Sequence, residues 1–204
     1  MKKNKISPVL SSSTEQARIK EEGLADIIAC NSAICFIDGQ EGRLLYRGYN
    51  VVDLAENSTF EETAYLLWYG RLPGSTEFQA FLDGFTGSMA LPVETVMILR
   101  MFPKAATPME VLRTAVSSLG HWDPESGNTR LDASLRKAQR LTERIPLILS
   151  SHQRLREGQE PITPALNHGI AYNFLFTLQG NNTYFFRWPE LVRVFLIIPA
   201  YLSI

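Results

Sequence analysis

The sequence predicts a mostly α-helical fold with one short β-hairpin near its N-terminus, on three observations. From Ser58 onward, segments with apolar residues at helical spacing alternate with Gly, Pro and N-capping residues. Between Ile34 and Gly48, apolar runs flank the turn-rich stretch Asp38-Gly39-Gln40-Glu41-Gly42. No internal repeat or low-complexity tract interrupts the pattern, which fits helices packed around a core.

Residues 1–20 are polar, with Ser11-Ser12-Ser13, and read as an arm or as the approach to a helix beginning near Thr14. Ile34–Ile37 and Arg43–Tyr46 supply the hairpin strands. Ser58 and Thr59 precede Glu61 and Glu62 at capping-box spacing, and Phe60, Ala64, Leu67 and Trp68 continue a helix that Gly70 stops. Further helices fit Thr76–Phe85 and Val93–Met101. Thr107-Pro108-Met109-Glu110 combines an N-cap, a proline in the first turn and a glutamate at the third position, and Gly120 closes that helix. A long helix fits Asp132–Arg156, with Leu135, Ala138, Leu141, Ile145, Leu149, His152 and Leu155 on its apolar side; Pro146 removes a backbone donor and is expected to kink it. The last helix fits Ala165–Leu178. Beyond Gly180 the order lapses into Asn181-Asn182-Thr183-Tyr184-Phe185-Phe186-Arg187-Trp188-Pro189 and an apolar run to Ile204, so residues 181–204 read as an aberrant apolar tail.

The 204 residues suffice for one domain with a real core. Twenty Lys and Arg against 21 Asp and Glu leave a net charge of −1, which offers no field for nucleic acid or an anionic membrane. The two cysteines, Cys30 and Cys35, have no neighbouring Cys or His to complete a metal set and read as buried small hydrophobes. The N-terminus has lysines but no apolar run of a secretory signal, so a cytoplasmic protein is expected. Leu191–Ile204 contains Arg193 and Pro199 and is shorter than the roughly 20 residues that span a bilayer.

Three histidines are available as bases or ligands. His121 follows a helix end and reads as a capping or loop residue. His152 lies on the apolar side of the long helix, which suits a hydrogen-bonded core or boundary residue. His168, in Asn167-His168-Gly169, opens a helix from which it could reach a cleft. No two histidines have the spacing of a zinc helix, no Gly-rich loop with a lysine cradles phosphate, and no Gly-x-Ser-x-Gly elbow occurs. Arg43 and Arg47 flank the second strand, while Arg113, Arg136, Arg140, Arg144, Arg154 and Arg156 ride on helices, where solvated faces are expected.

Several segments resemble citrate synthase in one colinear series over roughly residues 20–180. Gly23-Leu24-Ala25-Asp26-Ile27-Ile28, Ile37-Asp38-Gly39 and Leu45-Tyr46-Arg47-Gly48-Tyr49 look like the opening of the shorter bacterial forms. Phe60-Glu61-Glu62-Thr63-Ala64-Tyr65-Leu66-Leu67-Trp68-Tyr69-Gly70, with Leu72-Pro73, is similar to the next helix. Thr107-Pro108-Met109-Glu110-Val111-Leu112-Arg113-Thr114-Ala115-Val116-Ser117 and Asn173-Phe174-Leu175 match two further motifs. The resemblance implies that residues 21–180 are the N-terminal part of a large helical domain. It also implies a homodimeric acyltransferase that condenses acetyl-CoA with oxaloacetate and needs no other cofactor or metal. The family's histidines and aspartate polarise the ketone and enolise the acetyl methyl, and its arginines hold carboxylates.

Those reacting residues belong to the family's C-terminal half, so no catalytic residue is assigned here. The family's first active-site segment reads Leu-Ile-Leu-His-Ala-x-His, and its candidate counterpart is Leu196-Ile197-Ile198-Pro199-Ala200-Tyr201-Leu202, with Pro199 and Leu202 in the histidine positions. Neither can transfer a proton. Out-of-frame or degenerate sequence after Gly180 accounts for the stretch equally well. The expectation is a fragment inactive on its own, with 2-methylcitrate synthase and a non-catalytic helical interaction protein as rival readings. A large domain cut in mid-course also predicts an exposed apolar patch of Phe174, Phe176, Phe185, Phe186, Trp188, Leu191, Phe195 and Ile197.

Overall fold

A computed structural model describes residues 32–86, 90–165 and 168–180, which fall into two compact units divided between Leu72 and Pro73. The first unit begins with the hairpin. The Asp38 carboxylate accepts from the backbone N–H groups of Gln40 and Glu41 at 3.1 and 3.0 Å, an Asx turn that folds the chain back on itself. Strands β1 (Cys35–Asp38) and β2 (Arg43–Tyr46) then pair antiparallel, Cys35 opposite Tyr46 and Asp38 opposite Arg43.

A second turn, unassigned in the sequence reading, joins β2 to the short β3 (Tyr49–Asn50). Arg47 and Gly48 both have positive φ, 49° and 87°. A two-residue hairpin requires that geometry, and it is costly for a residue with a Cβ. The Arg47 side chain compensates: Nε and Nη2 donate to the Leu67 carbonyl at 3.3 and 2.9 Å, and Nη1 donates to the Ala33 carbonyl at 3.4 Å. Leu67 lies in the last turn of a helix over Phe60–Tyr69, where carbonyls lack intrahelical partners.

Asn50 starts helix α1 (Val51–Asn57) by accepting from the Val52 N–H at 2.9 Å. Helix α2 (Phe60–Tyr69) has the expected capping box, resolved to Thr59 and Glu62: the Glu62 N–H donates to Thr59 Oγ1 at 3.0 Å and the Thr59 N–H to Glu62 Oε2 at 2.8 Å. Gly70 ends it in the left-handed conformation, φ 79°. Tyr46, Leu54 and Leu66 form this unit's buried centre, with Cys35 half-buried beside them and its thiol free. Cys30 lies outside the described residues.

The second unit is helical: α3 (Ser75–Thr86), α4 (Val93–Met101), α5 (Pro108–Leu119), α6 (Leu131–Arg156) and α7 (Ile170–Gln179). Its core is Leu99, Val111, Ala115, Leu119 and Ile148. Thr107 and Glu110 form the second expected capping box, while Gly120 ends α5 in the right-handed region rather than as a left-handed cap. Helix α6 runs continuously through Pro146. Its burial is broader than one predicted stripe: Leu147, Ile148, Ser150, Ser151 and His152 are all buried, because α3, α4, α5 and α7 each pack against it.

Helix α7 starts at Ile170, five residues later than Ala165. The Asn173 side chain explains the delay. Its Oδ1 accepts from the Ala165 N–H at 2.8 Å, and its Nδ2 donates to the Ala165 and His168 carbonyls at 3.0 and 2.8 Å, so those backbone groups are satisfied outside a helix. Thr177 Oγ1 lies 2.9 Å from Ser150 Oγ and donates to the Asn173 carbonyl, tying α7 to α6. Phe174 and Phe176 are half-buried; the other members of the predicted apolar patch lie outside the described residues. So do the polar arm 1–20, the 23–28 motif and the tail 181–204 with Pro199 and Leu202.

Candidate functional site

The three histidines are held by three different local devices, and none meets another. Exposed His121 is placed by its own backbone N–H, which bonds the Ser118 carbonyl at 3.0 Å just past α5, and its ring meets Trp122 edge-on. His168 precedes α7 and stacks on Tyr172, one turn on, with ring centroids 4.0 Å apart. His152 is 3% exposed on α6. Burial pushes its imidazole pKa down, the Ala106 carbonyl opposes this as a hydrogen-bond acceptor, and the Arg156 charge pushes it down again. Its Nε2 is buried with no hydrogen-bond partner among the described residues. No described hydrogen bond or ion pair joins a histidine to a carboxylate. The described residues therefore hold no histidine–carboxylate pair of the kind that shuttles a proton at carbon.

Arg140 and Arg144 depart from the expected solvated faces, while Arg136 and Arg156 keep theirs. Arg140, its side chain 17% exposed, donates from Nε to Asp123 Oδ2 at 3.0 Å and from Nη2 to Asp123 Oδ1 at 2.8 Å. It also reaches Glu125 Oε2 at 3.1 Å through Nη1. Arg136 Nε bonds both Glu125 oxygens at 3.1 Å. Chiefly through Arg136, the Glu125 carboxyl is lowered to about 2. Arg144 is partly buried nearby, and that burial depresses its pKa, with the Arg140 charge adding to the effect. Arg113 is exposed as expected, and Arg43 sits over the Phe36 ring at 5.6 Å.

At the other end of α6 the balance reverses. A cleft of about 270 Å³ is lined by Arg100 from α4, Phe102 and Lys104 from the following turn, His152, Leu155 and Arg156 from α6, and Gly158–Glu160. Arg100 grips the Glu160 carboxylate with two donors, Nη1 to Oε1 at 3.0 Å and Nη2 to Oε2. The pair raises the arginine's pKa and lowers the glutamate's. Arg154 Nε holds the Glu160 carbonyl at 2.6 Å, and Arg156 Nε holds the Lys104 carbonyl at 3.1 Å. A second cleft, of about 250 Å³, lies on the other side of the Arg100–Glu160 pair, against Val96, Leu147, Ser151 and Pro161–Pro164. Sequence reasoning singled out Arg154, Arg156 and His152 but missed Arg100, Lys104 and Glu160. The available signal was Arg100 in the last turn of one helix, with a Gly-Gln-Glu exit from another. Among the described residues, no group of three or more His, Cys, Asp or Glu is arranged to hold a metal, and no helix is long and apolar enough to cross a membrane.

A capped α5, a long α6 and an Asn173-locked α7, preceded in sequence by a small antiparallel sheet, make a mostly α-helical chain of the kind seen in solved citrate synthases. The profile described as "Citrate synthase, C-terminal domain" matches residues 23–200, and this chain belongs to the citrate synthase family. It is 38% identical over 159 residues to Citrate synthase 2 of Bacillus subtilis, covering 78% of this chain and 42% of that protein. It is 35% identical over 161 residues to 2-methylcitrate synthase 1 of Corynebacterium glutamicum, covering 79% and 42%. Among solved structures it is similar to citrate synthase from Thermotoga maritima, with a TM-score of 0.73, 34% identity and coverage of 88% of this chain and 46% of that one. Citrate synthase from Pyrobaculum aerophilum gives a TM-score of 0.77, 31% identity and coverage of 86% and 46%. The chain thus spans less than half the length of these relatives.

Proposed function

We propose that this chain supplies the N-terminal helical scaffold of an acyltransferase that condenses acetyl-CoA with oxaloacetate and water to give citrate and CoA. The observation that carries this reading is the colinear family match over residues 23–200, together with 38% identity to a citrate synthase. The chemistry needs a base to take a proton from the acetyl methyl, donors to stabilise the enolate oxygen, and a closed site that keeps water from the thioester until the new carbon–carbon bond has formed. The described residues contribute the helices that such a site is built against, and the base and donors come from elsewhere in the enzyme. In this reading the protein is cytoplasmic and works as a homodimer. It binds acetyl-CoA and oxaloacetate and uses no metal or further cofactor.

A second reading, condensation of propionyl-CoA to 2-methylcitrate, is favoured by the 35% identity to a 2-methylcitrate synthase. The two substrates differ by one methylene, worth about 1–3 kcal/mol of discrimination in a well-shaped pocket. The test is release of CoA thiol by the purified 204-residue chain, supplied with oxaloacetate and either acetyl-CoA or propionyl-CoA. No release above background is expected from either. Saturable turnover with either thioester would overturn the scaffold reading, and the preferred thioester would then separate the two activities.

A further inference from the structure

We infer that the cleft between α4 and the C-terminal end of α6 is a binding site for a small organic oxyanion, a phosphate ester or a polycarboxylate, whose place on Arg100 the chain's own Glu160 carboxylate occupies. Three cations line the cleft, Arg100, Lys104 and Arg156, against a single carboxylate, Glu160. Arg100 is already in the two-pronged geometry with which guanidinium groups hold carboxylates and phosphates. The Lys104 side chain is exposed and makes no ion pair among the described residues. Arg156 has a backbone carbonyl and the Gln153 amide oxygen as partners but no carboxylate. Two positive charges in the lining are therefore left without a counter-charge.

The second observation is His152. It lines the same cleft and is 3% exposed, yet its Nε2 has no partner among the described residues. Buried polar atoms are almost always satisfied, so an orphan beside a cationic cleft marks a place where a polar group is still to be supplied. Leu99, Phe102 and Leu155 give the cleft an apolar side suited to the carbon frame of an organic anion.

Glu160 is well placed to be displaced. Its side chain is 75% exposed, so exchanging it for a ligand oxyanion leaves the glutamate in water rather than stranded in the interior. Its backbone carbonyl stays anchored to Arg154. Five residues on, the same stretch of chain reaches Ala165, whose backbone N–H and carbonyl Asn173 of α7 holds.

The test is isothermal titration of the full chain at fixed ionic strength with two probes, pyrophosphate and succinate, in the wild type and three variants. Glu160→Gln removes the internal competitor and is expected to bind whichever probe fits about tenfold more tightly than wild type, the scale of one charge-assisted hydrogen bond. Lys104→Gln and Arg156→Gln change exposed side chains, leave the circular dichroism spectrum unchanged, and are each expected to weaken binding about three- to tenfold. Preference for pyrophosphate assigns a phosphate ester, and preference for succinate a polycarboxylate. Two results would overturn the inference: no saturable binding of either probe by the Glu160→Gln chain, or affinities that do not move in the Lys104 and Arg156 variants. The readout does not depend on catalysis, so it stands or falls separately from the acyltransferase reading.

Discussion

At the start of α6, Arg136 and Arg140 meet two carboxylates, Asp123 and Glu125, in a network whose hydrogen bonds are nearly all side chain to side chain; at its end, Arg100 takes the Glu160 carboxylate, Gln153 holds that of Glu157, and Lys104 and Arg156 make no ion pair among the described residues. The first arrangement is saturated, with Arg140 and Asp123 sheltered and Arg136 exposed, and it ties the 121–130 loop to the helix it precedes. The second is exposed and carries surplus charge. The same residue type on one helix therefore serves as a fastener at one end and as an open receptor at the other, and the decisive variable is the supply of carboxylates within reach. Helix polarity reinforces the asymmetry, since cations are favoured near a helix C-terminus even without a partner.

The strongest way to break this contrast is Arg140→Ala. Asp123, its side chain 13% exposed, would lose the cation that holds it, at a cost of about 2–3 kcal/mol, readable as a lower urea midpoint with an unchanged slope. A loss near zero would mean that the network is a solvated face after all. Arg47→Ala is next. It keeps the unfavourable positive φ while removing the donors to Leu67 and Ala33, and is expected to cost about 1–2 kcal/mol in the same experiment. If Arg47→Gly recovers part of that loss, backbone strain is a component, and if it recovers none, the guanidinium contacts account for all of it.

Acid should act at both ends of α6, since Arg136 and Arg100 hold the Glu125 and Glu160 carboxyls below their ordinary value, and the larger effect is expected at Glu125. The Glu125 carboxyl titrates in the folded chain at about 2, below its ordinary value of 4.5, so the unfolded chain binds more protons in between and stability falls as pH drops through that window. Glu125→Gln is expected to flatten the slope of melting temperature against pH there, and an unchanged slope would contradict the assignment. His152 adds a separate loss that begins as pH falls below its ordinary value of 6.5, because the buried imidazole resists the proton that the unfolded chain accepts. The smallest effect is predicted for Arg156→Ala. Its exposed side chain lacks a carboxylate partner, so the change in stability should stay under about 0.5 kcal/mol. A larger loss would place Arg156 with the fasteners.

Most of the helical architecture was legible because its signals are local. Thr59 with Glu62, and Thr107 with Pro108 and Glu110, announce helix starts through backbone donors that any chain must satisfy, and Gly70 announces a stop. The Asp38–Gly42 turn was legible for the same reason. The stretch from Tyr49 to Asn57 was not, since a two-residue strand and a seven-residue helix leave too few residues for a period, although Asn50 ahead of Val51-Val52-Asp53-Leu54 was a usable cap signal. The late start of α7 was hidden in Asn173, whose partners lie eight and five residues upstream. The cleft was illegible because Arg100 and Glu160 are 60 positions apart, and only packing brings them together. Arg140 was misjudged for a related reason: a helix-borne arginine looks solvated until the loop that covers it is known.

The most direct test of the scaffold reading is a chimera in which residues 23–180 of this chain replace the matching segment of Citrate synthase 2 of Bacillus subtilis, assayed for CoA release from acetyl-CoA and oxaloacetate. The account predicts a folded protein with saturable turnover that depends on both substrates. A chimera that folds, by circular dichroism and a cooperative melt, yet releases no CoA would contradict it.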